Sequence, residues 1–101
     1  MQLPKGDYGY YLDFTVKDSG GTAYNLTGYT IKLKVWAPGA PGTLLTDGAC
    51  TIVVAASGTC RYAVTSADFT ATGKYMAELE LTKAQTVEST VPFVIEVEES
   101  G

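Results

Sequence analysis

The chain has no histidine, and only two cysteines among 101 residues. The first absence removes the side chain that most often serves as a near-neutral base or metal ligand, leaving carboxylates, Tyr, Lys and thiols for any chemistry. An enzyme is therefore not expected. The second leaves Cys50 and Cys60, too few and wrongly spaced for a four-ligand zinc site. No metal or cofactor is expected. Basic residues are also scarce: seven Lys and Arg against eleven Asp and Glu give a net charge of -4. With no basic stripe, there is little attraction for phosphate backbones or anionic lipid, and neither nucleic acid nor membrane is expected as a partner. No segment approaches the roughly 18 apolar residues of a membrane helix, and the opening MQLPKGDYGYY lacks the charged-then-apolar pattern of a signal peptide. The expectation is a chain neither secreted by a signal nor membrane-spanning.

What is present is apolar residues, 46% of the chain, in short period-two segments separated by Gly, Pro, Asn and Ser. Leu12, Phe14 and Val16 alternate with Asp13, Thr15 and Lys17; Ile31, Leu33 and Val35 alternate with Thr30, Lys32 and Lys34. Further on, Cys60, Tyr62 and Val64, then Tyr75, Ala77, Leu79 and Leu81, then Phe93, Ile95 and Val97 repeat the pattern. Between them, TLLTDGACTIVVA reads as a weak strand, a turn at Asp47-Gly48 and a firmer strand, while residues 37–42, APGAPG, form a connector or contact loop. About seven strands predict an immunoglobulin-like antiparallel β-sandwich, a single domain over residues 1–101. Asp68, Gly73 and Tyr75 sit where such sandwiches turn into a central strand, although Ala77 stands where an inter-sheet cysteine would be.

Few constellations suggest chemistry. Cys50 and Cys60 read either as a hairpin disulfide or as two buried free thiols. A two-residue turn at Ser57-Gly58 would carry Cys50 toward Thr65, so the cysteines face each other only across a wider or bulged loop. Glu78 and Glu80 share the outward face of their strand and read as solvated charges, Asp68 as a turn cap, and Asn25-Leu26-Thr27 as a turn despite its glycosylation pattern. The aromatics Tyr8, Tyr10 and Tyr11 cannot all point inward, and together with Trp36 they form a candidate contact surface.

The order of these landmarks resembles the N-terminal domain family of the phage baseplate upper protein. The resemblance runs through Lys5-Gly6-Asp7, the turn from Asp18 to Gly21, Asn25-Leu26-Thr27-Gly28, and Gly58 with Tyr62. It continues through Asp68 with Gly73, Tyr75, Ala77 and Glu78, and closes on Pro92-Phe93 with Ile95 and Val97. It implies a non-enzymatic structural virion protein of a tailed phage, acting in the tail or baseplate through contacts with other virion proteins or as a homo-oligomer. Such a protein is made in the bacterial host cytoplasm and resides in the virion. The alternatives are a carbohydrate- or ligand-binding module for host attachment, resting on the exposed tyrosines and Trp36, and a capsid decoration protein.

Overall fold

In the computed structural model, which describes residues 1–40, 42–90 and 92–99, the alternating segments become strands. Eight follow in order: β1 (Gln2–Pro4), β2 (Tyr11–Thr15), β3 (Thr30–Trp36), β4 (Leu44–Val54), β5 (Thr59–Ala63), β6 (Gly73–Lys83), β7 (Thr86–Ser89) and β8 (Phe93–Glu98). They form one continuous path, β1-β8-β6-β3-β4-β5-β2, with β7 paired to the far end of β6. The path curls over so that the inward sets meet: Leu12, Ile31, Leu33, Val35, Tyr62, Ala77, Leu79, Leu81, Ile95 and Val97 are all buried. Leu26, from the loop before β3, is wholly enclosed with them.

The expected all-β sandwich is present, with corrections. Among the described residues there are eight strands where about seven were expected, and the sheet is mixed, because β1 runs parallel to β8. Three- and four-residue strands such as β1 and β7 carry too little periodicity to be read from sequence; their pairing comes from the neighbours they lie beside. The turn expected at Asp47-Gly48 is absent. β4 passes straight through it for eleven residues, pairing first with β3 and then with β5, and so belongs to both layers. Register shifts opposite Val35/Trp36 and between Ile52 and Val54 leave Leu45 and Val53 as extra residues, and such bulges bend a strand from one layer to the next. Gly48 is there for space. A Cβ on it would overlap Cε1 of Tyr62, whose ring crosses β4 at that point.

The hairpin from β4 to β5 also differs from a two-residue turn. A single 3-10 turn, Ala55–Ser57, is closed by Gly58 at φ +70. A Cβ at Gly58 would press on backbone oxygens of Val16 and Tyr24, so the glycine serves both the left-handed backbone and a close chain crossing. Of the 37–42 connector, Pro41 lies outside the described residues.

Candidate functional site

Asp68 sits below β6 with 6% of its surface exposed. Its Oδ2 accepts hydrogen bonds from the Tyr62 hydroxyl at 2.6 Å, the Thr65 amide at 2.9 Å and the Thr65 hydroxyl at 3.0 Å; its Oδ1 accepts one from Thr46 at 3.0 Å. Burial alone would favour the neutral acid, but these donors outweigh it and hold the carboxyl below its ordinary range. The turn cap read from sequence is thus a buried node joining β4, β5 and the loop before β6. Burial and the Asp68 carboxylate push the Tyr62 hydroxyl upward. Nearby, Tyr75 donates its hydroxyl to the Ala71 carbonyl at 2.8 Å, the geometry of a tyrosine corner. Ala77, wholly buried, packs among aliphatics where a disulfide half would otherwise stand.

The four aromatics singled out from sequence separate. Tyr8 and Tyr11 are 65% and 55% exposed, whereas Tyr10 packs against the core, its hydroxyl buried without a hydrogen-bond partner among the described residues. Burial and the charges of Asp7 and Asp68 raise the Tyr10 hydroxyl's pKa. The Arg61 guanidinium lies 4.6 Å from the Tyr11 ring centre, and its Nε is 3.3 Å from Asp13, an ion pair without hydrogen-bond alignment. Trp36 is half-buried at the far end of β3. In the register it pairs with Leu44 and Met76, and Met76 pairs with Val94. An apolar row therefore crosses the outer face of the sheet, flanked by Lys34 and Glu78 on one side and Lys74 and Glu96 on the other. Sequence reasoning missed this row, although Trp36, Met76 and Val94 all occupy outward positions in the alternation.

A second missed cluster clamps one end of the sandwich. The Tyr24 and Tyr29 hydroxyls lie 3.0 Å apart, Tyr24 donates to Glu88 at 2.8 Å, and Lys83 stands 5.3 Å from the Tyr29 ring centre. Those hydroxyl and carboxylate contacts raise the Tyr24 pKa. Of the strand-face carboxylates, Glu80 pairs with Lys34 at 2.6 Å, and that bond raises the lysine's pKa. Asn25 accepts the Thr27 amide at 3.0 Å and hydroxyl at 2.7 Å, and Asp18 accepts the Gly20 and Thr22 amides, so both polar motifs are turns.

Cys50 is half-buried and Cys60 buried, and no bond joins them in this structure. The hairpin is wider and bulged, but the register sets Cys60 opposite Ile52, leaving Cys50 diagonal to it. The neighbouring thiols perturb each other, Cys60 pushing the Cys50 pKa up and Cys50 pulling that of Cys60 down. Among the described residues no group of three or more His, Cys, Asp or Glu could hold a metal ion, and no helix is long and apolar enough to cross a membrane.

With this geometry in hand, comparison with known proteins decides the lineage. The model of the BppU N-terminal domain matches residues 2–101. The chain belongs to that family. BppU is the phage baseplate upper protein, and its N-terminal domain is a structural baseplate domain. Among solved structures, the N-terminal domain of ORF48 of phage TP901-1 aligns with a TM-score of 0.72 at 17% identity, covering 97% of this chain and 83% of that one. At that identity the likeness is one of fold. No curated protein sequence matches the chain. Within the BppU N-terminal domain, then, the Asp68 node and Tyr75 corner hold the scaffold, while Tyr8, Tyr11 and the Trp36 row are what it presents outward.

Proposed function

We propose that this domain is a non-enzymatic structural component of a phage tail or baseplate, folding as one unit over residues 1–101 and working through contacts with other virion proteins. The observation that carries this is the family match over residues 2–101, joined to the exposed rings of Tyr8 and Tyr11. Tyr8 and Tyr11 supply one contact region, with Tyr10 anchoring the segment from below, and the row through half-buried Trp36 supplies another. A second copy of the chain is an alternative partner for the Trp36 row. Nucleic acid and membrane are not partners in this reading; the protein is made in the host cytoplasm and ends in the virion. Mass spectrometry of purified particles tests it. Recovery of the chain at fixed stoichiometry with other tail proteins supports the reading, and absence from particles overturns it. The carbohydrate-binding alternative draws less support, because Arg61 already occupies a face of the Tyr11 ring.

For the cysteines we propose the free-thiol state. Diagonal strand neighbours have α-carbons about 7–8 Å apart, beyond the roughly 4.4–6.8 Å a disulfide accepts, so closing the pair requires the two backbones to draw together. Intact masses taken with and without reductant should agree; a nonreducing mass lower by two hydrogens would establish the link.

A further inference from the structure

An immunoglobulin-type sandwich of A-B-E-D against C-F-G strands covers the edge of strand B with strand A. In this chain β8-β6-β3 corresponds to G-F-C and β2-β5-β4 to B-E-D, but the first strand pairs with β8 in the other layer. β2 consequently pairs only with β5 among the described residues. The phase of that ladder is fixed by Val64 donating to the Tyr10 carbonyl and Val16 to that of Gly58. Even-numbered residues therefore face β5, and Tyr11, Asp13 and Thr15 turn their N–H and C=O groups outward.

Exposed edges are ordinarily shortened, bent or charged. β1 is three residues long and ends on Pro4; β7 is four long, and its Glu88 sits opposite core-facing Leu81. β2 has five residues in unbroken register with no Pro, and its one charge, Asp13, is paired with Arg61 of β5. Beside it, between the layers, lies a groove of about 540 Å³ with Phe14, Val16, Leu79 and Phe93 on its walls and Lys17 and Ser89 at its rim. That volume falls within the roughly 300–1,000 Å³ of binding clefts. The Phe14 and Phe93 rings meet there at 5.7 Å, and Lys17 makes no ion pair among the described residues.

We propose that the outer edge of β2 receives an extended segment of another virion protein, which stands in for the missing strand. It pairs with the backbone of Tyr11, Asp13 and Thr15, lays alternate apolar side chains against Phe14 and Phe93, and sets a carboxylate against Lys17. This rests on the reading of the domain as a virion component. Thr15→Pro tests it, since a ring in place of an outward N–H is tolerated on an edge strand. The variant chain should fold alone, yet enter particles at about a tenth of the wild-type level or less. Incorporation at the wild-type level overturns the proposal. Independently of any variant, amide hydrogen exchange of the peptide spanning residues 11–16 should slow about tenfold or more in intact particles relative to the isolated chain. Unchanged exchange in particles that do contain the chain overturns the edge proposal and leaves the virion assignment standing; absence of the chain from particles removes the assignment itself. A photo-cross-linking residue at Thr15 names the occupant. Adducts with a different virion protein support the proposal, and adducts with a second copy of this chain overturn it.

Discussion

Replacing Asp68 tests whether the buried node holds the two layers together. The carboxylate accepts four hydrogen bonds, and hydrogen bonds to a charged group contribute about 1.5–3 kcal/mol each, while a stranded buried donor costs about 1–3 kcal/mol. Thr65 lies near solvent and recovers partners from water, so the loss falls on Tyr62 and Thr46. Asp68→Ala strands both hydroxyls and should cost about 3–4 kcal/mol, a large share of the roughly 5–15 kcal/mol that stabilises a small domain. Asp68→Asn keeps an acceptor and lets the Thr46 hydroxyl rotate to accept from the new amide, so its cost should be about 1–2 kcal/mol. The pH dependence separates charge from shape. Because the folded carboxyl titrates below its unfolded value near 3.9, its contribution is complete above about pH 5 and is lost as pH falls through that value toward the folded one. Urea denaturation of wild type and Asp68→Asn across pH 2–7 should therefore show a gap that is widest at neutral pH and closes in acid. A gap that stays constant down to pH 2, or a loss in Asp68→Ala below about 1 kcal/mol, would refute the node as a charge-assisted one.

Three other outcomes follow from single contacts. Gly48→Ala drives a methyl into the Tyr62 ring and should cost about 1–3 kcal/mol by thermal melt, with Tyr62→Leu in the same chain recovering part of it. Tyr75→Phe removes the bond to the Ala71 carbonyl and should cost about 0.5–1.5 kcal/mol in the same assay, without loss of β content by circular dichroism. Tyr8→Ala should leave the melting temperature of the isolated chain nearly unchanged while lowering its recovery in particles; Tyr10→Ala should lower the melting temperature first.

The strands legible in the sequence were those with one wet and one dry face. β3 and β6 each carry three inward aliphatics, and β8 carries Ile95 and Val97 beside Phe93, against mostly polar partners, so their alternation alone set face and approximate limits. β4 was misread because it changes partners midway: a strand that leaves one layer for the other has no single buried face, and its two bulges shift the period each time. Its glycine, taken for a turn, answers to a tyrosine fourteen residues on, which local patterning does not reveal. The node shows the same limit. Asp68 could be read as a cap from its own neighbours, Thr65 among them, but Thr46 and Tyr62 arrive only once β4 and β5 are paired.

The same reasoning explains why the aromatic segment divides as it does. Gly9 takes φ +85 and donates its amide to Val64, which swings the chain so that Tyr10 drops onto the core while Tyr8 and Tyr11 remain outside. A glycine between tyrosines thus does what alternation would not, since strict period two would have put Tyr8 and Tyr10 on one face. Because Tyr11 begins the uncovered edge strand, its exposed ring and its outward backbone groups lie at one place on the surface. The docking proposed along β2 thus extends to side-chain contact at Tyr11 and neighbouring Tyr8, and Tyr11→Ala should weaken cross-linking from Thr15 without changing the isolated fold.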